Sequence, residues 1–161
     1  MNSADTLSML FRHNRWANTR ILERCAGLTN DQLDTAIAGT FGSIRETLQH
    51  MVTSEQSYFV RISTGQAYRH PKDAPPMTLS EMLTSVHRTG SGLIEWAPRV
   101  QASELVQVDW EGTPRDVPKT LFLTQAINHA TEHRAQVMVT LTQLGIRPPD
   151  LDGWTYFDEL E

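Results

Sequence analysis

Cysteine occurs once, at Cys25, so no internal disulfide can form, which fits the reducing cytoplasm as the expected setting. No apolar run reaches the roughly 18 residues of a membrane span, and the first residues lack the charged and apolar regions of a secretory signal. Positive charge is short as well. Lys and Arg number 14 against 19 Asp and Glu, giving a net charge of −5 and a pI near 5.6. That balance argues against nucleic acid or an anionic membrane as a partner. Arg12, Arg15, Arg20 and Arg24 do share a face of the first helix, and that face reads as solvated. Internal repeats and low-complexity stretches are lacking too.

What remains is an ordinary globular composition. With 161 residues, 39% hydrophobic and 20% charged, residues 1–161 are expected to form one domain with a substantial core. Four long segments carry helical periodicity. Residues 4–26 have an apolar stripe that includes Leu7, Phe11, Ala17 and Ile21, and Thr29 offers a cap for a short turn through Leu33. Ser43-Ile44-Arg45-Glu46 reads as a capping box opening a second helix that Gly65 closes. Thr78-Leu79-Ser80-Glu81 is another, starting a third helix with Met82, Val86, Leu93 and Ala97 inward. Val106 and Val108 alternate before Gly112, which predicts a small β-hairpin. The fourth helix is expected over Lys119–Leu144, with Gly145 and Pro148-Pro149 as its stop.

Four helices of this length predict an all-α four-helix bundle. The 13 residues from Gly65 to Met77 can stretch across ~43 Å, more than the ~33 Å length of a 22-residue helix. The second and third helices are therefore free to run parallel.

The chemistry concentrates on the fourth helix. His129 and His133 stand one turn apart and project from nearly the same side, so both can reach one ion at about 2 Å. The zincin pattern is excluded, because Ala130 stands where its glutamate would be. A third ligand must come from elsewhere. His50 lies 14 residues before the end of its helix and His133 lies 14 residues into its own, so antiparallel packing would bring them level. His13 and His87 fall near mid-helix and spacing leaves them open, although a hydrogen-bonded core-edge role is preferred for both. His70, in the proline-containing linker, is expected in solvent.

Several stretches carry a family resemblance. Thr40-Phe41-Gly42-Ser43-Ile44-Arg45-Glu46-Thr47-Leu48-Gln49-His50-Met51 with Glu55, and Asn128-His129-Ala130-Thr131-Glu132-His133-Arg134-Ala135-Gln136, resemble the second and last helices of the DinB family. His13-Asn14-Arg15-Trp16-Ala17-Asn18 and Pro149-Asp150-Leu151-Asp152 are similar to that family's first-helix motif and C-terminal tail. The family is distinct from the translesion polymerase that shares its name. The resemblance implies an up-down-down-up bundle, commonly a homodimer, with a divalent metal held by His50, His129 and His133. It also implies membership of a superfamily with transferases and isomerases that use bacillithiol, mycothiol or glutathione.

Three neutral imidazoles leave a coordination position open, as catalytic sites do, and suit zinc or nickel, with iron or manganese as alternatives. The expected function is a metal- and thiol-dependent S-transferase acting on small electrophiles. The competing readings are a metal-dependent hydrolase and a non-catalytic metal-binding stress-response protein. No catalytic side chain can be named. Gln136, about a turn past His133 on the same face, is the candidate cofactor-binding residue. Glu55 and Glu132 are weaker candidates, Trp16 and Tyr58 are expected to fill core or line a pocket, and the aromatic tail from Trp154 to Phe157 is expected to fold over the bundle or onto a partner.

Overall fold

The computed structural model describes residues 6–68, 71 and 73–160, and the expectation for His70 falls outside them. Four long helices carry the architecture: α1 (Thr6–Cys25), α3 (Ile44–Thr64), α4 (Leu79–Trp96) and α5 (Lys119–Gln143). Two short ones join them, α2 (Asn30–Leu33) and α6 (Gly153–Asp158). Local chemistry sets most of the ends. Thr29, Ser43 and Thr78 each close a reciprocal capping box, with Gln32, Glu46 and Glu81 as the returning side chains. Each such cap contributes about 1 kcal/mol. Gly65 ends α3 in the left-handed region at φ 70. After α5, Ile146 N donates to Leu141 O and Gly145 N to Thr142 O, a Schellman stop with Gly145 at φ 69.

Helix directions follow from which residues meet. Gln49 accepts from Met77 N and Gln56 donates to Ser85, so α3 and α4 run parallel. Phe41 lies against His133 at one end of the α3–α5 seam and Tyr58 against Phe122 at the other, so that pair is antiparallel. Arg15 meets Ser91 while Phe11 packs with Leu93 and Ile21 with Met82, which sets α1 against α4 in opposite directions. The result is an up-down-down-up four-helix bundle, its linker crossing between α3 and α4. The helices approach closely where they must: a Cβ on Gly92 would fall 2.2 Å from Phe59.

The predicted hairpin is present as β1 (Leu105–Trp110) paired antiparallel with β2 (Thr113–Pro118), Trp110 opposite Thr113. Glu111 and Gly112 turn the corner at φ 53 and 84, the two left-handed positions that a tight primed turn demands. Val106 anchors the hairpin in the core beside Leu93 and Phe122.

The core has two apolar halves. One gathers Leu22, Leu48, Met51, Met82 and Leu141, and the other Phe11, Ile62, Leu93, Phe122 and Leu123. Between them lies a buried polar belt to which every long helix contributes. The Arg134 guanidinium of α5 donates to Asn14 Oδ1 and Asn18 Oδ1 of α1. The same two amides donate to Glu55 Oε2 of α3, at 3.4 and 2.8 Å. Thr89 of α4 donates to the other Glu55 oxygen. Each asparagine thus bridges cation and anion. Burial pushes the Glu55 pKa up and lowers that of Arg134 to about 10, while hydrogen bonds and the Arg134 charge pull Glu55 back and the Glu55 charge pulls Arg134 back.

The aromatic tail folds as α6 against α1. Asp152 caps it, Tyr156 is buried against His13 and Trp16, and Glu159 accepts from Trp16 Nε1 and pairs with Arg20. Trp154 stays 80% exposed.

Candidate metal centre

His50 sits in the second turn of α3 and His129 and His133 in the middle of α5, at the level of the polar belt. Antiparallel packing brings them together as the depth match anticipated. His129 Nε2 lies 3.0 Å from His50 Nε2 and 3.2 Å from His133 Nε2. One ion held at about 2.0–2.1 Å by tetrahedral imidazoles would separate its nitrogens by roughly 3.3 Å. The three side chains could therefore hold one metal ion between them.

The donor chemistry fits the same use. Gln136 Oε1 accepts from Phe41 N at 3.1 Å, so it is an oxygen, and it stands 3.0 Å from His133 Nδ1. That nitrogen must carry the hydrogen, which leaves His133 Nε2 with a bare lone pair aimed at its neighbours. A single proton shared among three converging nitrogens can relieve only one close pair. Protonation is disfavoured as well. Burial, then the neighbouring His133 and His50, lower the His129 pKa to about 4, and burial and His133 lower that of His50. At neutral pH both imidazoles are free bases, the form that binds a metal.

Phe41 was missed by sequence reasoning as a site residue. Its ring stacks on His50 with centroids 4.1 Å apart and meets His133 edge-on, roofing one side of the cluster. Its sequence signals were its place in the glycine-flanked break Gly39–Gly42 and within the Thr40–Met51 stretch that carries the family resemblance. Tyr58 packs edge-on against His129. Below His50, Thr53, Ser54, Ser57, Tyr58 and Tyr68 line a cleft of about 240 Å³.

The remaining candidates fall elsewhere. His13 Nε2 donates to Leu151 O, so that nitrogen is spent, and His87 is exposed on α4 beside Arg12 and Arg15. Glu132 is exposed and Glu55 belongs to the polar belt. Trp16 supports the tail through Tyr156 and Glu159. A larger hollow of about 560 Å³ opens between α1 and α6, but His13 is the one metal-ligating side chain in its mainly apolar and aromatic lining. No described helix is long and apolar enough to cross a membrane.

Comparison with solved structures gives DinB-like proteins. One from Bacillus subtilis has TM-score 0.65 at 14% identity, covering 92% of this chain and 99% of its own. Another from Bacillus cereus has TM-score 0.61 at 19% identity, covering 86% and 91%. These likenesses establish the fold. No curated protein matches the sequence. The family comparison extends over residues 1–159, nearly the whole chain, and with it the helix order and the histidine triad take their place: this chain belongs to the DinB family.

Proposed function

We propose that the protein is a metal-dependent thiol S-transferase for small electrophiles, with His50, His129 and His133 as ligands of a zinc or nickel ion. The observation that carries the reading is the convergence of the three histidine Nε2 atoms beneath the Phe41 ring. A bound divalent ion would supply Lewis acidity, lowering the pKa of a thiol so that it reacts as thiolate.

The chain's own residues prepare the place. Gln136 fixes the tautomer and plane of His133, a support that typically multiplies metal affinity 10–100-fold. Phe41 excludes water from one face of His50, and the low proton affinity of His129 keeps protons from competing for the site. Gln136 serves the cofactor by holding a ligand. Cys25 is no candidate nucleophile, since burial pushes its thiol up to about 12.

We also read residues 1–161 as one domain acting in the cytoplasm as a homodimer. Support for the dimer is the apolar surface of Met9, Leu10, Trp154, Phe157 and Leu160 that α1 and α6 leave exposed.

The test is conjugation of monochlorobimane by metal-loaded protein with bacillithiol, mycothiol or glutathione in turn. Conjugation that needs both metal and thiol is the expected result. Hydrolysis of ester or amide panels without thiol would replace the reading with a hydrolase. Neither activity, with metal bound, would leave a binding protein.

A further inference from the structure

Arg61 has no role in the site as described, and its surroundings do not satisfy it. It lies on α3 eleven residues after His50, half-buried over the Phe122 ring with 5.8 Å between guanidinium carbon and ring centroid. Among the described residues no carboxylate pairs with it. Its Nε–H is buried without an acceptor among the described residues, while Nη1 folds back onto the Ser57 carbonyl and hydroxyl. Burial lowers its pKa. A buried donor without a partner forfeits its hydration and calls for an explanation. The fold could have avoided that cost with a leucine.

Its position supplies the explanation. Ser57, which the guanidinium touches, lines the cleft that begins one turn below His50. Tyr58, one residue on, spans the two places: its ring packs on His129 and its hydroxyl bonds Gln125. The cleft walls are all hydroxyl-bearing, through Thr53, Ser54, Ser57, Tyr58 and Tyr68, so they suit a polar chain. Its volume of about 240 Å³ lies below the range of drug-sized sites and fits a slender, unbranched arm. Drawn back to the level of Ser57, the guanidinium stands ~10 Å along the helix axis from His50.

We infer that this cleft takes the carboxylate-bearing arm of an organic thiol whose sulfur reaches the histidine cluster, with Arg61 as the anchor of the carboxylate. An incoming carboxylate would draw the guanidinium off Ser57 and offer the Nε–H and Nη2 edge a bidentate acceptor, the geometry arginine favours. The buried donor is then satisfied. The inference rests on the thiol-transferase reading and adds the charge and reach of the thiol.

The test uses cobalt(II)-substituted protein, whose visible absorption reports thiolate entering the metal's coordination. Mercaptoacetate, mercaptopropanoate, mercaptohexanoate and mercaptooctanoate are titrated, each beside the neutral mercaptoalkanol of equal length. The carboxylate is expected to bind about tenfold tighter than its neutral partner at one of the longer lengths, and at no advantage for mercaptoacetate. Arg61→Gln should abolish that advantage while neutral thiols bind as before, and Arg61→Lys should restore part of it. An equal affinity of acid and alcohol at every length, or an advantage that survives Arg61→Gln, overturns the anchor while leaving the transferase reading intact. Absence of a cobalt spectrum, or a spectrum that no thiol perturbs, overturns the metal-thiol reading and the anchor with it. Should Arg61→Gln fail to fold, Arg61→Lys alone decides. Its advantage must then fall below that of the wild type, and an unchanged advantage overturns the anchor.

Discussion

Two polar clusters lie side by side on the same two helices and solve opposite problems. His50 and Glu55 are five residues apart on α3, and His133 and Arg134 are adjacent on α5. Turned inward, Glu55 and Arg134 join Asn14, Asn18 and Thr89 in a network where each acceptor meets a donor. Turned toward the α3–α5 seam, the histidines bring three ring nitrogens together, His129 Nε2 standing 3.0 Å from that of His50 and 3.2 Å from that of His133. The chain completes the first cluster itself. The second could hold one metal ion between its three side chains. A satisfied buried network holds helices in register, whereas a converging set of lone pairs stores affinity for a ligand.

The largest effect that would break this contrast belongs to the network. Removing one partner leaves an uncompensated buried charge, so Glu55→Ala or Arg134→Ala should cost about 3–5 kcal/mol, read as a fall in the urea midpoint without added metal. A loss under 1 kcal/mol would mean that water enters the belt and that the two clusters do not differ in kind.

Histidine replacement should behave in the reverse way. His129→Ala is expected to leave the metal-free midpoint within about 1 kcal/mol of wild type. It should instead remove the metal-dependent stabilisation, which for wild type is about 2.7 kcal/mol at free metal a hundred times Kd. His50→Ala and His133→Ala should do the same, and His87→Ala should not. Full metal occupancy in His50→Ala, measured by elemental analysis, would sink the three-histidine assignment.

Acid should separate the clusters next. The folded pKa of His129 is about 4, below the 6.5 of an unfolded histidine, and that of His50 is shifted the same way. Between those values the unfolded chain binds more protons than the fold. This contribution to stability is therefore whole above pH about 6.5 and drains as pH falls toward 4. With solvent at the half-open site allowed for, it amounts to about 1–2 kcal/mol. The raised pKa of Glu55 acts with the opposite sign. The informative quantity is thus the difference between wild type and His129→Gln, in which Glu55 cancels. Urea midpoints at pH 7 and pH 5 that shift equally in both proteins would show His129 to be unperturbed.

The unequal legibility of the two clusters in the sequence has a physical cause. Capping boxes at Ser43 and Thr78, the stops at Gly65 and Gly145 and the hairpin turn at Gly112 are local, so a few adjacent residues declare them. The triad was nearly as legible, because a one-turn spacing and a depth match reduce it to helix arithmetic, and family resemblance then selected His50 over His13 and His87. The polar belt was not. Asn14, Asn18 and Arg134 are far apart in the chain, and an inward-facing asparagine looks in sequence like an exposed one. Six residues were likewise too few for α6 to show a period. Arg61 and Phe41 were hidden for a related reason: what makes each notable is a neighbour brought in by the fold.

Phe41 provides the finest test of the contrast, and the smallest effect. Its ring is 54% exposed, so the core loses little when the ring is removed. Its backbone N–H is what binds Gln136, and alanine keeps that bond. Phe41→Ala therefore isolates the ring from the support of His133. Stacking of this kind contributes about 0.5–1 kcal/mol, which corresponds to a two- to fivefold loss of metal affinity in a chelator competition. The metal-free urea midpoint should stay within about 0.5 kcal/mol. Gln136→Leu removes the hydrogen bond instead and should lose more, between tenfold and a hundredfold. If Phe41→Ala weakened metal binding as much as Gln136→Leu, the roof rather than the tautomer would set the affinity. If it unfolded the protein as Glu55→Ala is expected to, the break at Gly39–Gly42 would belong to the core, and the seam would not be the half-open site that the histidine cluster requires.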